Sequence, residues 1–192
     1  MRIDVATGLL DAARQCPSPN HDDRPVGCVP DLLVLHNITL PPYEFGGQWI
    51  DKLFTNQLDP NAHPFFAEIC HLRVASHLLI RRNGEIVQYV PFHKRAFHAG
   101  VSSYQGRERC NDFSVGIEME GTDFVPFTDR QYQQLECLLP ALVAAYPSLS
   151  FAHITGHEHI APGRKTDPGP FFNWQRLSRV LGVNLPAPQS VV

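Results

Sequence analysis

The chain has 192 residues, 43% of them hydrophobic and 18% charged. That is the composition of one globular domain with a substantial core, and it excludes a disordered or fibrous chain. With 16 Lys+Arg against 19 Asp+Glu the formal net charge is −3, so the broad basic field of a duplex nucleic-acid binder is missing.

The N-terminal stretch MRIDVATGLLDAARQC mixes Asp4, Asp11 and Arg14 among its apolar residues. It holds no signal-peptide core, and no run anywhere is long enough to cross a bilayer. Five cysteines cannot all pair within one chain, and none stands in Cys-x-x-Cys, so reduced thiols are the simpler expectation. Together these features predict a cytoplasmic protein, without a nucleic-acid or membrane partner, folded as a single domain over residues 1–192; a monomer is expected, although no feature of the sequence fixes the oligomeric state.

DLLVLH (31–36) is a short, nearly continuous apolar run, the mark of a strand buried on both faces, with His36 where that strand is expected to run out. A long connection follows, from 39 to about 72, holding Gly46 and Gly47, a helix predicted over 49–58 and a loop over 59–64. Such connections are often functional, and this one, lying beside His36, is expected to move over a ligand. Residues 75–82 and 85–90 flank Asn83-Gly84 and predict a β-hairpin. Residues 91–112 read as a second loop, carrying His98, Ala99 and Gly100.

Over 113–120 the pattern alternates. Phe113, Val115, Ile117 and Met119 take one face of a strand; Ser114, Gly116, Glu118 and Glu120 take the other. Thr128 and Gln131 form a capping box that opens a helix through Tyr132, Leu135, Leu139 and Leu142, and Pro140 predicts a kink or break in it. A strand is expected over 151–155, a loop over 156–170, and a last helix, capped by Asn173, to about 180. Strands and helices interleave while the hairpin makes antiparallel neighbours, so the expected fold class is α/β: a single-domain mixed β-sheet flanked by helices.

Three side chains at the polar ends of these elements share a chemistry. His36 and His157 each follow a buried strand, and Asp167 lies ten positions after His157, before Pro168. Two neutral imidazoles and one carboxylate make a catalytic zinc set with a fourth position left for water. The spacing matches no short zinc motif, and each residue alone has an ordinary explanation as a satisfied histidine or a turn aspartate. Glu118 is a candidate general base, but Glu120 shares its face, and the residues alone do not choose between them. Lys165, two positions before Asp167, falls on the same side of an extended segment and offers a cation for a developing oxyanion. His159 is the residue that a closed, purely structural zinc site would need as fourth ligand.

VLHN (34–37), HAG (98–100), GIEMEG (116–121) and TGHEHIAPGRKTDPGP (155–170) resemble the motifs of the zinc N-acetylmuramoyl-L-alanine amidases. That family includes phage amidase lysozymes and peptidoglycan-recognition proteins. Longer stretches, among them LPPYEFGG, DPNAHPFFAEI and YQGRERCNDFSVGIE, extend the similarity from about residue 17 to about 180. They narrow it to the branch that acts on muropeptides in cell-wall recycling. The resemblance implies that His36, His157 and Asp167 hold one zinc ion, that Glu118 rather than Glu120 is the acid/base residue, and that Lys165 stabilises the transition state. It implies a small muropeptide substrate, cut between the lactyl group of 1,6-anhydro-N-acetylmuramic acid and L-alanine. Asn37, Arg73, Ala96, Phe97, His98 and Arg109 stand at positions resembling substrate-contacting ones. Phe97 replaces the tryptophan expected there, and His159 departs from the aspartate often found, so a supporting or exposed place is expected for it.

Overall fold

Apolar residues on both faces of two strands put those strands at the centre of a sheet. In the computed structural model, which describes residues 1–186, they are β5 (Leu32–Ile38) and β11 (Ser114–Glu120). Residues 187–192, which the single-domain expectation includes, lie outside the described residues.

Four short strands precede this pair: β1 (Ile3–Asp4), β2 (Leu9–Leu10), β3 (Arg14–Gln15) and β4 (His21–Asp23). The long connection after β5 folds into α1 (Trp49–Phe54) and α2 (Pro64–Ile69). The hairpin follows as β6 (Leu78–Ile80) and β7 (Ile86–Gln88), with shorter strands than expected, closed by hydrogen bonds from Arg81 N to Glu85 O and from Gly84 N to Arg81 O, both 2.8 Å. The stretch 91–112 is not plain loop. It contains β8 (Lys94–Ala96), which pairs with β4, the small hairpin of β9 (Ser103–Tyr104) and β10 (Arg107–Glu108), and a 3-10 turn over Cys110–Asp112. After β11 come α3 (Asp129–Ala145), β12 (Ile154–Gly156), α4 (His157–Ile160) and α5 (Trp174–Leu181).

The main sheet runs β12-β5-β11-β6-β7-β3. Its β12, β5, β11 and β6 are mutually parallel, while β7 turns back antiparallel to β6, giving the expected mixed sheet. On one face, Leu33, Leu35, Val115, Ile117 and Met119 pack under Leu135, Leu138, Leu139 and Leu142 of α3. On the other face, Leu79 and Val87 lie under Ile50, Leu53, Phe54 and Phe66 of the long connection, while Leu32 and Val34 meet Ala99, Cys110 and Ile160. Between those two apolar patches the sheet carries polar residues.

Several expectations are corrected. β5 continues two residues past His36, because its pairing with β11 extends to Ile38 opposite Glu120. The break at Pro140 does not occur; α3 runs unbroken over Asp129–Ala145, with Pro140 on its exposed side, where the ring meets no packed neighbour layer. Residues 151–153 form a 3-10 turn rather than strand, because the Ser150 hydroxyl caps it by accepting from Ala152 N at 3.2 Å. The loop expected over 156–170 begins with the helical turn α4. No helix among the described residues is long and apolar enough to cross a membrane.

Two buried polar side chains tie the connections to the sheet. The Arg24 guanidinium donates to the carbonyls of Asn111, Asp112, Phe92 and Ser114, and burial lowers its pKa to about 10. His77 accepts from Gly116 N through Nδ1 at 3.0 Å, so its Nε2 carries the proton and donates to Lys94 O. Burial, with Arg24 nearby, pushes the His77 pKa down to about 3.

Two outcomes follow. Thr128 accepts from Gln131 N and donates to Arg82 O, so Thr128→Ala lowers unfolding free energy by about 1–2 kcal/mol in urea titrations. An unfolded histidine takes up its proton near pH 6.5, whereas folded His77 stays neutral down to about pH 3. The contribution of His77 is therefore complete above pH 6.5 and erodes as pH falls toward 3, at up to about tenfold in the folding equilibrium per pH unit. His77→Gln removes one proton's worth of that slope in urea titrations between pH 7 and 5.

Candidate active site

The polar gap on the sheet is the floor of a cleft of about 590 Å³. Parallel pairing sets Glu118 directly opposite His36 in register, so adjacent strands present both to the same side. β12 lies on the other side of β5 and ends at Gly156, which delivers His157 as the first residue of α4. The segment after α4 returns over the cleft, and Arg164, Lys165, Thr166 and Asp167 all line it, so the alternation expected to put Lys165 and Asp167 on one side does not separate them from Thr166.

His36 Nδ1, His157 Nδ1 and Asp167 Oδ2 form a triangle with every side 3.0 Å. The remaining ring nitrogens explain its protonation. His157 Nε2 faces the Ala99 carbonyl at 3.0 Å and must donate to it, which leaves Nδ1 as a lone pair. His36 Nε2 meets His98 Nδ1 at 2.9 Å, and His98 Nε2 meets the Ser114 hydroxyl at 3.1 Å. With His36 Nε2 and His98 Nε2 as donors, this chain is satisfied throughout and again leaves the His36 Nδ1 lone pair facing inward. Two lone pairs and a carboxylate oxygen thus converge with no proton assigned between them. That donor set suits a divalent cation, and nitrogen plus oxygen ligands with histidines held from behind suit zinc.

Electrostatics agree with this reading. Burial, helped by neighbouring His157 and opposed by Asp167, lowers the His36 pKa to about 4. Burial likewise holds His98 well below the ordinary histidine range, reinforced by His36 and His77. At Asp167, burial acts upward, but the adjoining His157 and His36 rings outweigh it and hold the carboxyl below the usual range.

The geometry separates the two glutamates. Glu120 accepts from Gly46 N at 2.6 Å and Arg82 N at 3.0 Å, with Arg81 alongside, so its carboxylate is spent on the chain around it. Glu118 lines the cleft, and its buried Oε2 meets no hydrogen-bond partner among the described residues. Burial pushes Glu118 well above the ordinary carboxyl range, Asp167 pushes the same way, and Lys165 pulls back.

Of the other residues singled out in the sequence, Asn37, Phe97 and His98 line the cleft. Arg73 does not; it donates to the Cys70 and Leu72 carbonyls of its own turn. Ala96 is fully buried in the apolar patch under α1. Arg109 pairs with Asp112 and lines a neighbouring hollow that meets the cleft only at Arg164. His159 is turned from the triangle, its Nδ1 accepting from Gly156 N at 3.1 Å and its ring edge-on to Trp174. Among the described residues the triangle is joined by no fourth protein ligand of the kind a closed site would need.

Sequence reasoning missed Ser114, Arg164, Tyr43, Asp123 and Phe124. Ser114 carried a signal, since it begins the same alternating face as Glu118. The others sit in irregular segments with none. Gly116 is explained only now: a Cβ there would lie 2.5 Å from the His98 ring, so the glycine lets His98 rest on the sheet and reach His36.

Comparison with known proteins is consistent with this cleft. Residues 25–170 match a family model, Amidase_2, described as N-acetylmuramoyl-L-alanine amidase. The chain is 66% identical over 174 residues to the 1,6-anhydro-N-acetylmuramyl-L-alanine amidase AmpD of Escherichia coli strain K12, covering 91% of this chain and 94% of that one. The crystal structure of a selenomethionine derivative of AmpD aligns with a TM-score of 0.90 at 62% identity, covering 94% of this chain and 99% of the other. The Escherichia coli amidase AmiD, solved with the substrate anhydro-N-acetylmuramic acid-L-Ala-D-gamma-Glu-L-Lys, gives a TM-score of 0.59 at 32% identity, over 81% of this chain and 58% of that one. The matched family region includes every residue that lines the cleft, and the relatives align over nearly the whole chain: it belongs to the N-acetylmuramoyl-L-alanine amidase family and is an amidase.

Proposed function

We propose that the chain is a zinc-dependent amidase that hydrolyses the bond between the lactyl group of 1,6-anhydro-N-acetylmuramic acid and L-alanine in muropeptides released during peptidoglycan recycling. The observation that carries this reading is the triangle of His36, His157 and Asp167 with the unpartnered Glu118 carboxylate beside it. The substrate is drawn from the AmpD relatives and from the anhydro-muropeptide bound to AmiD.

His36, His157 and Asp167 hold the ion, with His98 and the Ala99 carbonyl fixing the two rings from behind. Zinc in that position supplies Lewis acidity, polarising the scissile carbonyl and making water acidic near neutral pH. Glu118 Oε2 accepts the proton of the attacking water and returns it to the departing amine of L-alanine. Its burial favours the protonated form, which makes it both an adequate base and a competent acid. Lys165, on the cleft wall, places a fixed positive charge near the oxygen that becomes negative as the carbonyl is attacked. Asn37, Phe97 and His98 form the wall along which the substrate lies, and the phenyl face of Phe97 suits an apolar sugar surface.

In metal analysis the purified protein carries about one zinc per chain. His36→Ala and Asp167→Ala lose both the zinc and the cleavage of anhydro-muropeptide followed by mass spectrometry. Glu118→Gln keeps its zinc but drops kcat by about 100-fold or more. Full activity in a variant that has lost its metal overturns the reading.

A further inference from the structure

The wall of the cleft beside the metal triangle contains an amide whose orientation is set from behind. The Asn37 Nδ2 atom donates to Asp123 Oδ1 at 2.7 Å and to the Pro168 carbonyl at 3.1 Å. Both neighbours are acceptors only, so the amino end of the carboxamide, not its oxygen, must face them. Both N–H bonds are then used, and Oδ1 is the one polar atom of Asn37 left to meet a ligand. Asn37 and Asp123 both line the cleft.

The approach of Asp123 is built into the backbone. Gly169 has φ +85°, and a Cβ there would lie 2.4 Å from Asp123 Oδ1 and 2.9 Å from its Cα. Glycine therefore lets the Asp123 segment close onto the turn that carries Asp167 and Pro168. One carboxylate thus joins the strand end at Asn37 to that turn.

We propose that Asp123 is a positioning residue: with the Pro168 carbonyl it locks the Asn37 carboxamide so that its oxygen faces the cleft and accepts from an N–H or O–H group of the substrate. This rests on the amidase reading above. The anhydro-muropeptide offers several amide N–H and hydroxyl donors, and a fixed acceptor selects one of them. Without the lock the carboxamide rotates, and its amino end repels the same donor. A carboxylate is the natural partner, because it has no hydrogen to offer and cannot let the amide flip.

The test is a double-mutant cycle on the zinc-loaded enzyme with anhydro-muropeptide as substrate, using Asp123→Asn, Asn37→Ala and the pair. Asparagine at 123 keeps the shape but introduces a donor that tolerates the flipped amide. The expected result is a rise of about tenfold in KM for Asp123→Asn, with kcat within about threefold, unchanged zinc content and unchanged urea midpoint. Asp123→Glu, which retains an acceptor-only group, recovers part of the loss. The pair is no worse than Asn37→Ala alone, a non-additivity that a merely structural role would not produce. Additive losses, a fall in kcat without a change in KM, or loss of zinc from Asp123→Asn overturns the positioning role. A wild-type protein that leaves the muropeptide uncut overturns the amidase reading instead, and the positioning role with it.

Discussion

The parallel register of β5 and β11 places Glu118 beside His36, and the proposed chemistry depends on that pairing. A slip of one residue would turn Glu118 into the apolar face under α3 and bring Ile117 or Met119 into the cleft. The register is held because the same two strands bury apolar residues on their opposite face, where Leu33, Leu35, Val115 and Ile117 are wholly inaccessible. Stability and function therefore share one constraint. The hydrophobic face sets the alignment, and the polar face inherits it.

On the polar face, a second set of contacts works from behind the triangle. Ser114, His98 and His36 form one hydrogen-bonded line, and the Ala99 carbonyl fixes His157. His98 and Ala99 are neighbours in the segment that Arg24 fastens to the sheet through backbone carbonyls. A buried guanidinium with no carboxylate partner among the described residues is costly to desolvate, and burial lowers its pKa accordingly. In exchange, a segment of very short strands and turns is held firmly to the main sheet.

Much of this was legible in local sequence, and the reason differs by element. The continuous apolar run of β5 and the alternation of β11 mark buried and two-faced strands, and the Thr128–Gln131 box and the Asn83-Gly84 turn are local chemistry. What joins them is not local: nothing in the pattern says that residue 36 pairs with residue 118. The strands inside 91–112 are two or three residues long, too short for any period to register. Pro140 misled because the helix around it is held by its packing on the sheet, while the proline itself lies on the exposed side. The difference between Glu118 and Glu120 was equally hidden in the alternation, because it turns on Gly46 and Arg82 reaching one carboxylate and not the other. For Arg73 and Arg109 the sequence is silent in another way, since arginine in a loop carries no sign of whether it turns to a cleft or to its own backbone.

The way the chain between β5 and β6 is fastened has a consequence for how it can respond to a ligand. Asp51 on α1 accepts from Arg81, Arg14 and Tyr89, and Asn20 holds the Phe54 and Val74 carbonyls. Glu120 holds Gly46. What looks in the sequence like one long free span is therefore a series of short tethers between fixed posts. Closure entropy grows only slowly with length in flexible chain, but short constrained arcs have little of it to lose. Ordering such a segment over a bound muropeptide costs correspondingly little, and the cleft approaches its binding shape before the substrate arrives.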